Sequence, residues 1–214
     1  MSTLEKHILP NGTEVTFCPE SHKYYVDGQE VPSVTTIIQE YYGNMYAAVR
    51  PEILEAAAKY GTNVHKDLND LIELRSKNEG VPLVSDYVEV NNYFEFVEPI
   101  YDIKPVMTER VIVIYDDFDK PIAAGRFDLL CTVKGKLTLA DFKTTSTIHR
   151  QSVSAQLNLY LKGAVQSGYI EDGSNVDLGV IHLSGSTSKY VPITKFGPGF
   201  FEKILAKYQI NIDF

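Results

Sequence analysis

Two aspartates and a lysine stand at spacings that would bring their side chains together on one β-hairpin. Asp128 ends one strand-like stretch, and the next such stretch is apolar until it reaches Asp141 and Lys143. Residues two apart in a strand share a face, so Asp141 and Lys143 would point to the same side. If Lys134-Gly135 is the two-residue turn between the strands, Asp128 and Asp141 face each other with Cβ atoms about 4.5–5.5 Å apart.

Facing carboxylates of this kind have a chemical use. They repel each other, and proteins tolerate such a pair when a divalent cation binds between them. Lys143 would add a fixed positive charge to the same pocket. A cation, two acids and an amine can together activate water and stabilise charge on a phosphate, so the spacing predicts a metal-dependent phosphodiesterase.

The sequence around these residues resembles that of the PD-(D/E)XK nuclease superfamily. Within this superfamily it is most similar to the RecB-like exonucleases, including stand-alone nucleases of phages and prophages. Each matching motif is common by itself, and the resemblance comes from their order along the chain. The motifs are Gly61-Thr62-Asn63-Val64-His65, Gly125-Arg126-Phe127-Asp128, Asp141-Phe142-Lys143-Thr144-Thr145 and Gln156…Tyr160.

The resemblance implies a site that hydrolyses DNA with one or two Mg²⁺ or Mn²⁺ ions. Its metal ligands would be the carboxylates of Asp128 and Asp141, the backbone carbonyl of Phe142 and a ring nitrogen of His65. Lys143 would orient or help to deprotonate the attacking water and offset charge in the transition state. Because Mg²⁺ prefers oxygen ligands, a histidine among them makes Mn²⁺ a realistic alternative.

Gln156 and Tyr160 lie one helical turn apart and share a face of a predicted amphipathic helix. The resemblance implies that Gln156 hydrogen-bonds to Lys143 or to the substrate, and that Tyr160 contacts a phosphate or a base. The alternative is that Tyr160 is a core aromatic residue and Gln156 lies at the rim of the core.

Glu109 is a third candidate acid. A hairpin centred near Phe118-Asp119 would place Glu109 opposite Asp128, where it could join the metal site. A shift of one residue in strand pairing would move it to the other face of the sheet, so both placements stay open. We expect the three aspartates of this turn to be solvated loop residues.

His65 would lie near the beginning of a helix. The stretch from Pro51 through Tyr60 predicts one helix, which Gly61 should end, and Thr62 is a good N-cap for the next. The positive end of that helix dipole would keep the His65 ring neutral, which is the form that binds metal. The alternative is a histidine that hydrogen-bonds to a nearby backbone group.

Composition and charge narrow the class of protein. The net charge of −8 argues against a protein that coats DNA passively. The window 126–150 carries five Lys or Arg and two Asp or Glu, a local balance of +3. A generally acidic enzyme with a basic cleft could therefore hold nucleic acid locally. Two cysteines are too few for a disulfide framework or a cysteine-bound cluster.

The element pattern predicts one α/β domain over residues 1–214. Residues 1–50 would form an N-terminal hairpin and helix, and residues 51–101 a helical arch carrying His65. Residues 105–214 would form a restriction-endonuclease-like core, a mixed central sheet flanked by helices. The resemblance implies this fold as well.

We therefore expect a metal-dependent DNA exonuclease that acts on ends with single-stranded character, in recombination, repair or phage DNA processing. An annealing protein or a helicase could act with it in trans. No membrane-spanning stretch or signal-peptide pattern is evident, so we expect the cytoplasm, that of a bacterial host if the protein is phage-encoded. The alternatives are a restriction-type DNA endonuclease and a non-catalytic nucleic-acid or partner-binding module with a nuclease-like fold.

Overall fold

Two sheets of different construction organise the chain. A computed structural model describes residues 4–43, 49–78, 80, 82–184 and 187–209. These residues form a four-stranded sheet of order β1-β2-β3-β4, a five-stranded sheet of order β5-β6-β7-β8-β9, and the helices around them. The predicted α/β class is thereby confirmed at the level of a mixed α/β fold.

The elements follow one another with short connections. The strands are β1 (Glu5–Ile8), β2 (Glu14–Cys18), β3 (Lys23–Val26), β4 (Gln29–Val31), β5 (Ile103–Tyr115), β6 (Pro121–Val133), β7 (Lys136–Lys143), β8 (Asp177–His182) and β9 (Lys189–Ile193). The helices are α1 (Val34–Tyr42), α2 (Pro51–Lys77), α3 (Val88–Asn92), α4 (Glu98–Ile100), α5 (Arg150–Gln166) and α6 (Pro198–Leu205). A π-helical turn, Tyr93–Val97, joins α3 to α4. Of the helices described, none is long and apolar enough to cross a membrane.

The N-terminal sheet is an antiparallel meander, larger than the hairpin we expected. Strands β3 and β4 form that hairpin about Asp27-Gly28, and β1 and β2 extend it to four strands. Apolar side chains of the meander pack against β5 and β6. Helix α1 follows directly, with Ser33 as the predicted N-cap: its Oγ accepts from the Thr36 N–H at 3.0 Å.

The central sheet carries the predicted hairpin in the predicted register. Strands β6 and β7 are antiparallel and joined by Lys134-Gly135, both with positive φ, as a tight two-residue turn requires. Strands β7 and β8 are parallel, and α5 lies in the crossover between them. The remaining neighbours in this sheet pair antiparallel.

Helices cover both faces of the central sheet. On one face α1, α5 and α6 pack on the sheet, in a cluster we call the α5-side core, which includes Val34, Leu157, Ile204, Ile112, Phe127 and Leu139. On the other face α2 and the α3–α4 segment form the α2-side core, which includes Leu68, Ile72, Tyr93, Leu129, Ala140 and Phe142. Burial on both faces explains why β6 and β7 are apolar almost throughout.

The two longest strands change face where the site lies. Phe127 belongs to the α5-side core and Leu129 to the α2-side core, although residues two apart in a regular strand share a face. On the neighbouring strand, Glu109 has a φ of 51°, in the left-handed region. The local irregularity places Asp128 between the two cores, at an edge that opens to solvent.

Helix α2 corrects one prediction. Gly61 lies inside this single helix instead of ending a shorter one, and Thr62 is not an N-cap, since its Oγ1 donates to the Ala58 carbonyl at 2.9 Å. A Cβ at position 61 would lie 3.2 Å from the Thr144 Oγ1, so the glycine serves close packing between α2 and the end of β7. His65 is therefore in the middle of a helix, and our argument from the helix dipole was wrong.

The turn between β5 and β6 corrects a second prediction. Asp117 and Asp119 are exposed as expected, but Asp116 is buried. Its Oδ1 accepts from the backbone N–H groups of Phe118 and Lys120, both at 2.9 Å. Asp116 thus shapes the turn from inside, in the manner of an Asx turn.

Candidate functional site

A cleft of about 720 Å³ lies between α2, the central sheet and the N-terminal sheet. Helix α2 contributes His65 to its lining, β5 contributes Glu109, and β6 contributes Arg126 and Asp128. Tyr160 of α5 also lines it, and the N-terminal sheet closes one side. The cleft therefore gathers residues from every layer of the fold.

Asp128 sits where the pairing of β6 with β7 ends. The last pair is Leu129 with Ala140, so the register would bring Asp128 to Asp141, as predicted. Instead of continuing the ladder, Asp128 Oδ2 accepts from the Phe142 N–H at 2.7 Å. The carbonyl of a residue in a strand points the same way as its N–H, so the Phe142 carbonyl also faces this end of β6.

A chain of polar contacts leads from Asp141 to Tyr160. Lys143 Nζ lies 2.5 Å from Asp141 Oδ2 and donates to Gln156 Oε1 at 3.2 Å. Gln156 Nε2 in turn donates to the Tyr160 hydroxyl at 3.0 Å. Asp141 and Lys143 do share a face of β7, and the structure brings all four side chains together.

His65, on helix α2, lies beside Asp128 and Phe142. Its Nδ1 lies 3.5 Å from Asp128 Oδ2, and its ring packs edge-on against Phe142 at 5.9 Å between ring centres. Among the described residues its ring makes no hydrogen bond to a backbone group, which was the alternative from the sequence.

Glu109 lies across from Asp128, because the pairs on either side join Thr108 to Leu129 and Arg110 to Phe127. Burial and the charge of Asp128 raise the pKa of Glu109 to about 7, against the opposing effect of Arg126. The Arg126 Nη1 lies 3.7 Å from Glu109 Oε2. Of the two placements open from the sequence, the structure takes the one beside Asp128.

Asp141 is the most buried acid of the site, with 2% of its surface exposed. Burial raises its pKa to about 6, the nearby Lys143 opposes the rise, and the charge of Asp128 adds to it. Asp141 Oδ2 has no well-oriented hydrogen bond, although Lys143 lies beside it. A cation near these acids would lower both raised pKa values.

These pKa values predict an unusual pH dependence of stability in the metal-free protein. A folded-state pKa above the unfolded value means that the folded protein holds the proton more tightly, so the free energy of unfolding falls as pH rises between the two values. The window runs from 3.8 to about 6 for Asp141 and from 4.5 to about 7 for Glu109. At about 1.4 kcal/mol per pKa unit the two shifts set an upper limit of about 6 kcal/mol, and solvent screening at the cleft reduces it, so we expect a loss on the order of 2 kcal/mol between about pH 4 and about pH 7.5.

Thermal unfolding in EDTA across this range measures the effect, and an Asp141→Asn variant is the control, because it should show a shallower decline. Stability that rises with pH through this window in the wild-type protein would contradict the assignment of raised pKa values to these acids.

The site contains chemical groups of the types that bind divalent cations. Carboxylates, a backbone carbonyl and an imidazole are ligands that Mg²⁺ or Mn²⁺ accepts. Within the part of the chain that the structure describes, however, no group of three or more His, Cys, Asp or Glu side chains is arranged to hold a metal ion. Asp128 is turned to the Phe142 N–H and Asp141 to Lys143. The residues fit such an ion chemically, and coordination would require these side chains to reorient.

Sequence reasoning did not single out two residues that shape the cleft. Arg126 was part of the motif around Asp128, but no role was predicted for it. Its Nη2 donates to Glu5 Oε2 at 2.6 Å, and its Cζ lies 4.9 Å from the centre of the Phe17 ring. Asn69 lines the cleft with a buried Oδ1 that has no hydrogen-bond partner among the described residues. The spacing of Asn69 from His65, four residues along α2, was the signal that could have found it.

Gly125 has a steric role beside this site. A Cβ there would lie 2.8 Å from the Tyr160 Cε1 and 3.2 Å from the Val34 Cγ2. We expect Gly125→Ala to displace Tyr160 and to lower the free energy of unfolding by about 1–3 kcal/mol. Gly199→Ala is the matched control, since a Cβ there meets nothing within 4 Å. Thermal unfolding of both variants checks this, and equal stabilities would contradict the close packing.

Comparisons with known proteins add little. No model of a known protein family matches the sequence, and no curated protein matches it. The chain is similar to a solved structure described as "Crystal structure of SSO0001", with 10% identity, a TM-score of 0.35 and 82% of each chain covered. At that level the likeness carries no argument about function.

Proposed function

We propose that the protein is a metal-dependent DNA exonuclease with a restriction-endonuclease-like core of the RecB-like type. The observation that carries the proposal is the convergence of Asp128, Asp141 and Lys143 at the end of the β6–β7 hairpin, beside a cleft. The raised pKa values of Glu109, which lines the cleft, and of the buried Asp141 support it, because perturbed acids at a cleft are typical of functional sites.

The ligands in this proposal are Asp128, Asp141, the Phe142 carbonyl and His65, with Glu109 as a further carboxylate. A bound Mg²⁺ or Mn²⁺ would supply a polarised water and neutralise charge on the phosphate. The carboxylates would hold the ion after they reorient, and helix α2 already places the His65 Nδ1 3.5 Å from Asp128 Oδ2.

Lys143 is the amine of the reaction. Its ammonium group is held by Asp141 on one side and by Gln156 on the other, so its position is fixed before substrate binds. From there it orients the attacking water and offsets the negative charge that develops on the phosphate oxygens. Tyr160 is buried and holds Gln156 through its hydroxyl, so we assign it as a positioning residue.

The shape of the cleft favours action at DNA ends. The N-terminal sheet closes one side, where Glu5 pairs with Arg126 and Phe17 packs beneath the guanidinium. Because one side of the cleft is closed, a strand that enters by its end is the substrate in this proposal. An annealing protein or a helicase would supply such ends in trans.

The test compares end-labelled linear DNA with covalently closed circular DNA, with and without Mn²⁺. An exonuclease degrades the linear DNA only, and only with the metal. Cutting of the circle would favour the restriction-type endonuclease, and binding without cleavage of either substrate would favour a non-catalytic module.

A further inference from the structure

One wall of the cleft, where β6 meets the N-terminal sheet, has no part in the chemistry proposed above. Its side chains carry planar groups: the rings of Phe17, His22 and Tyr24 and the guanidinium of Arg126. We call these four residues the planar wall. The Arg126 Cζ lies 4.9 Å from the centre of the Phe17 ring, and the Phe17 and His22 ring centres are 5.3 Å apart. Because Asp128 follows Arg126 by two residues on β6, the planar wall begins beside the proposed metal site.

Two rings of the planar wall form a firm base for the other two groups. Phe17 and Tyr24 are 6% and 3% exposed, and they pack in the cluster that joins the N-terminal sheet to β5 and β6. Their ring centres are 4.6 Å apart. In contrast, the Arg126 side chain is 25% exposed, and His22 is an exposed residue. A ligand in the cleft would therefore meet the guanidinium and the imidazole, with the buried rings behind them.

Arg126 is held in a way that leaves one face of its guanidinium for a ligand. Its Nη2 donates to Glu5 Oε2 at 2.6 Å, and its Nη1 lies 3.7 Å from Glu109 Oε2. The donors of a guanidinium lie in its plane, so these carboxylates approach it from the sides. Phe17 covers one face of the group. The opposite face stays available for stacking.

His22 is held by the loop between β2 and β3. Its φ is 53°, in the left-handed region, where histidine, asparagine and aspartate are more frequent than other residues with a side chain. Its ring is nearly perpendicular to those of Phe17 and Tyr24, at 87° and 82°. Edge-to-face contacts of this kind orient the imidazole without a stacked partner, so the exposed ring can accept one from the cleft.

The chemistry of the planar wall suits a nucleobase better than a phosphate. The charge of Arg126 is already paired with Glu5, and Glu109 lies nearby, so an incoming phosphate would meet two carboxylates. A nucleobase is uncharged, and its π-face stacks on imidazole and guanidinium planes. The cleft volume of about 720 Å³ is within the range of about 300–1,000 Å³ that is usual for small-ligand sites.

We propose that Arg126 and His22 form a stacking site for a nucleobase of the bound strand, next to the phosphate that is cleaved. The inference rests on the proposed function and deepens it, because it makes an unpaired base part of what the cleft recognises. Inside a duplex both faces of a base are covered by its neighbours, and a base must leave the stack to bind elsewhere. The site would thus select strands with single-stranded ends.

The test measures binding without cleavage, by fluorescence anisotropy of a labelled single-stranded oligonucleotide in EDTA at low salt. We expect His22→Asn to weaken binding about five- to tenfold, through the loss of one base–aromatic stack. Asparagine tolerates the positive φ, so the loop should keep its conformation, which thermal unfolding checks. His22→Phe should bind within about twofold of the wild type, because it keeps an aromatic ring.

Phe118→Asn is the matched control for the loss of an exposed aromatic ring. Phe118 is 67% exposed in the turn between β5 and β6 and does not line the cleft, so the affinity of this variant should stay unchanged.

Two further measurements distinguish a base contact from a phosphate contact. A single abasic nucleotide, moved along the oligonucleotide, should weaken binding to the wild-type protein about five- to tenfold at one position, and His22→Asn should be insensitive to it there. The slope of log affinity against log salt concentration should be the same for the wild type and His22→Asn, because no phosphate contact is lost.

The outcomes separate this inference from the proposed function. If His22→Asn binds like the wild type, or if no abasic position weakens binding, the stacking site is overturned, even if the protein cleaves DNA. If His22→Asn weakens binding and is insensitive to the abasic position while no DNA is cut, the stacking site is supported and the exonuclease proposal fails. No binding by the wild type in EDTA, or by Lys143→Ala with Mn²⁺, would overturn both.

Discussion

The Lys143→Ala variant should lose DNA cleavage by at least about 10²–10³-fold while it remains folded. The ammonium group lies 2.5 Å from Asp141 Oδ2 and 3.2 Å from Gln156 Oε1, so it is positioned by contacts on both sides. Its loss removes the positive charge between these two groups. The measurement is the cleavage rate of end-labelled single-stranded DNA at saturating Mn²⁺, alongside thermal unfolding.

Folding should survive because Asp141 can take up a proton. Its pKa is already raised to about 6 by burial, and loss of the lysine would raise it further, so a neutral carboxyl group would remain. Lys136→Ala is the matched control, because Lys136 is on the same strand and is exposed. Wild-type cleavage in Lys143→Ala would end the case for this mechanism.

The Asp141→Asn variant should show two effects of opposite sign. Binding of Mn²⁺ should weaken by at least about a hundredfold, with loss of cleavage, because one of the proposed carboxylate ligands is removed. The metal-free protein should become about 1 kcal/mol more stable near neutral pH, because a buried acid that resists ionisation is replaced by a neutral group of similar shape.

Isothermal calorimetry with Mn²⁺ and thermal unfolding in EDTA measure the two effects separately. Asp177→Asn is the matched control, since Asp177 is exposed at the beginning of the neighbouring strand β8. If Asp141→Asn binds Mn²⁺ as the wild type does, Asp141 is not a ligand. If its metal-free stability falls instead, the pair with Lys143 matters more than the cost of burial.

Local sequence determined most of the hairpin and its register. Lys134-Gly135 can adopt the two positive φ angles of a tight turn, and a two-residue turn leaves one pairing for the strands it joins. The same holds for Asp27-Gly28, and the Ser33 cap fixed where α1 begins. These predictions succeeded because the interactions involved lie within a few residues of one another.

The continuity of helix α2 was not predicted from local sequence. A glycine followed by a threonine predicts a break, but the apolar stripe of Val64, Leu68 and Ile72 packs on the sheet and holds one continuous helix. The packing of Gly61 against Thr144, 83 positions away along the chain, accounts for the glycine. Tertiary contacts outweighed a local preference worth about 1 kcal/mol.

The sequence by itself determined which residues could do the chemistry, namely Asp128, Asp141 and Lys143, and that one hairpin would carry them. Only the tertiary structure decided their surroundings: the change of face at Asp128, the positive φ that brings Glu109 beside it, and the pairing of Arg126 with Glu5 across two sheets. The physical reason is that a turn fixes strand register through local geometry, whereas burial and the charges of distant elements set the pKa of each acid.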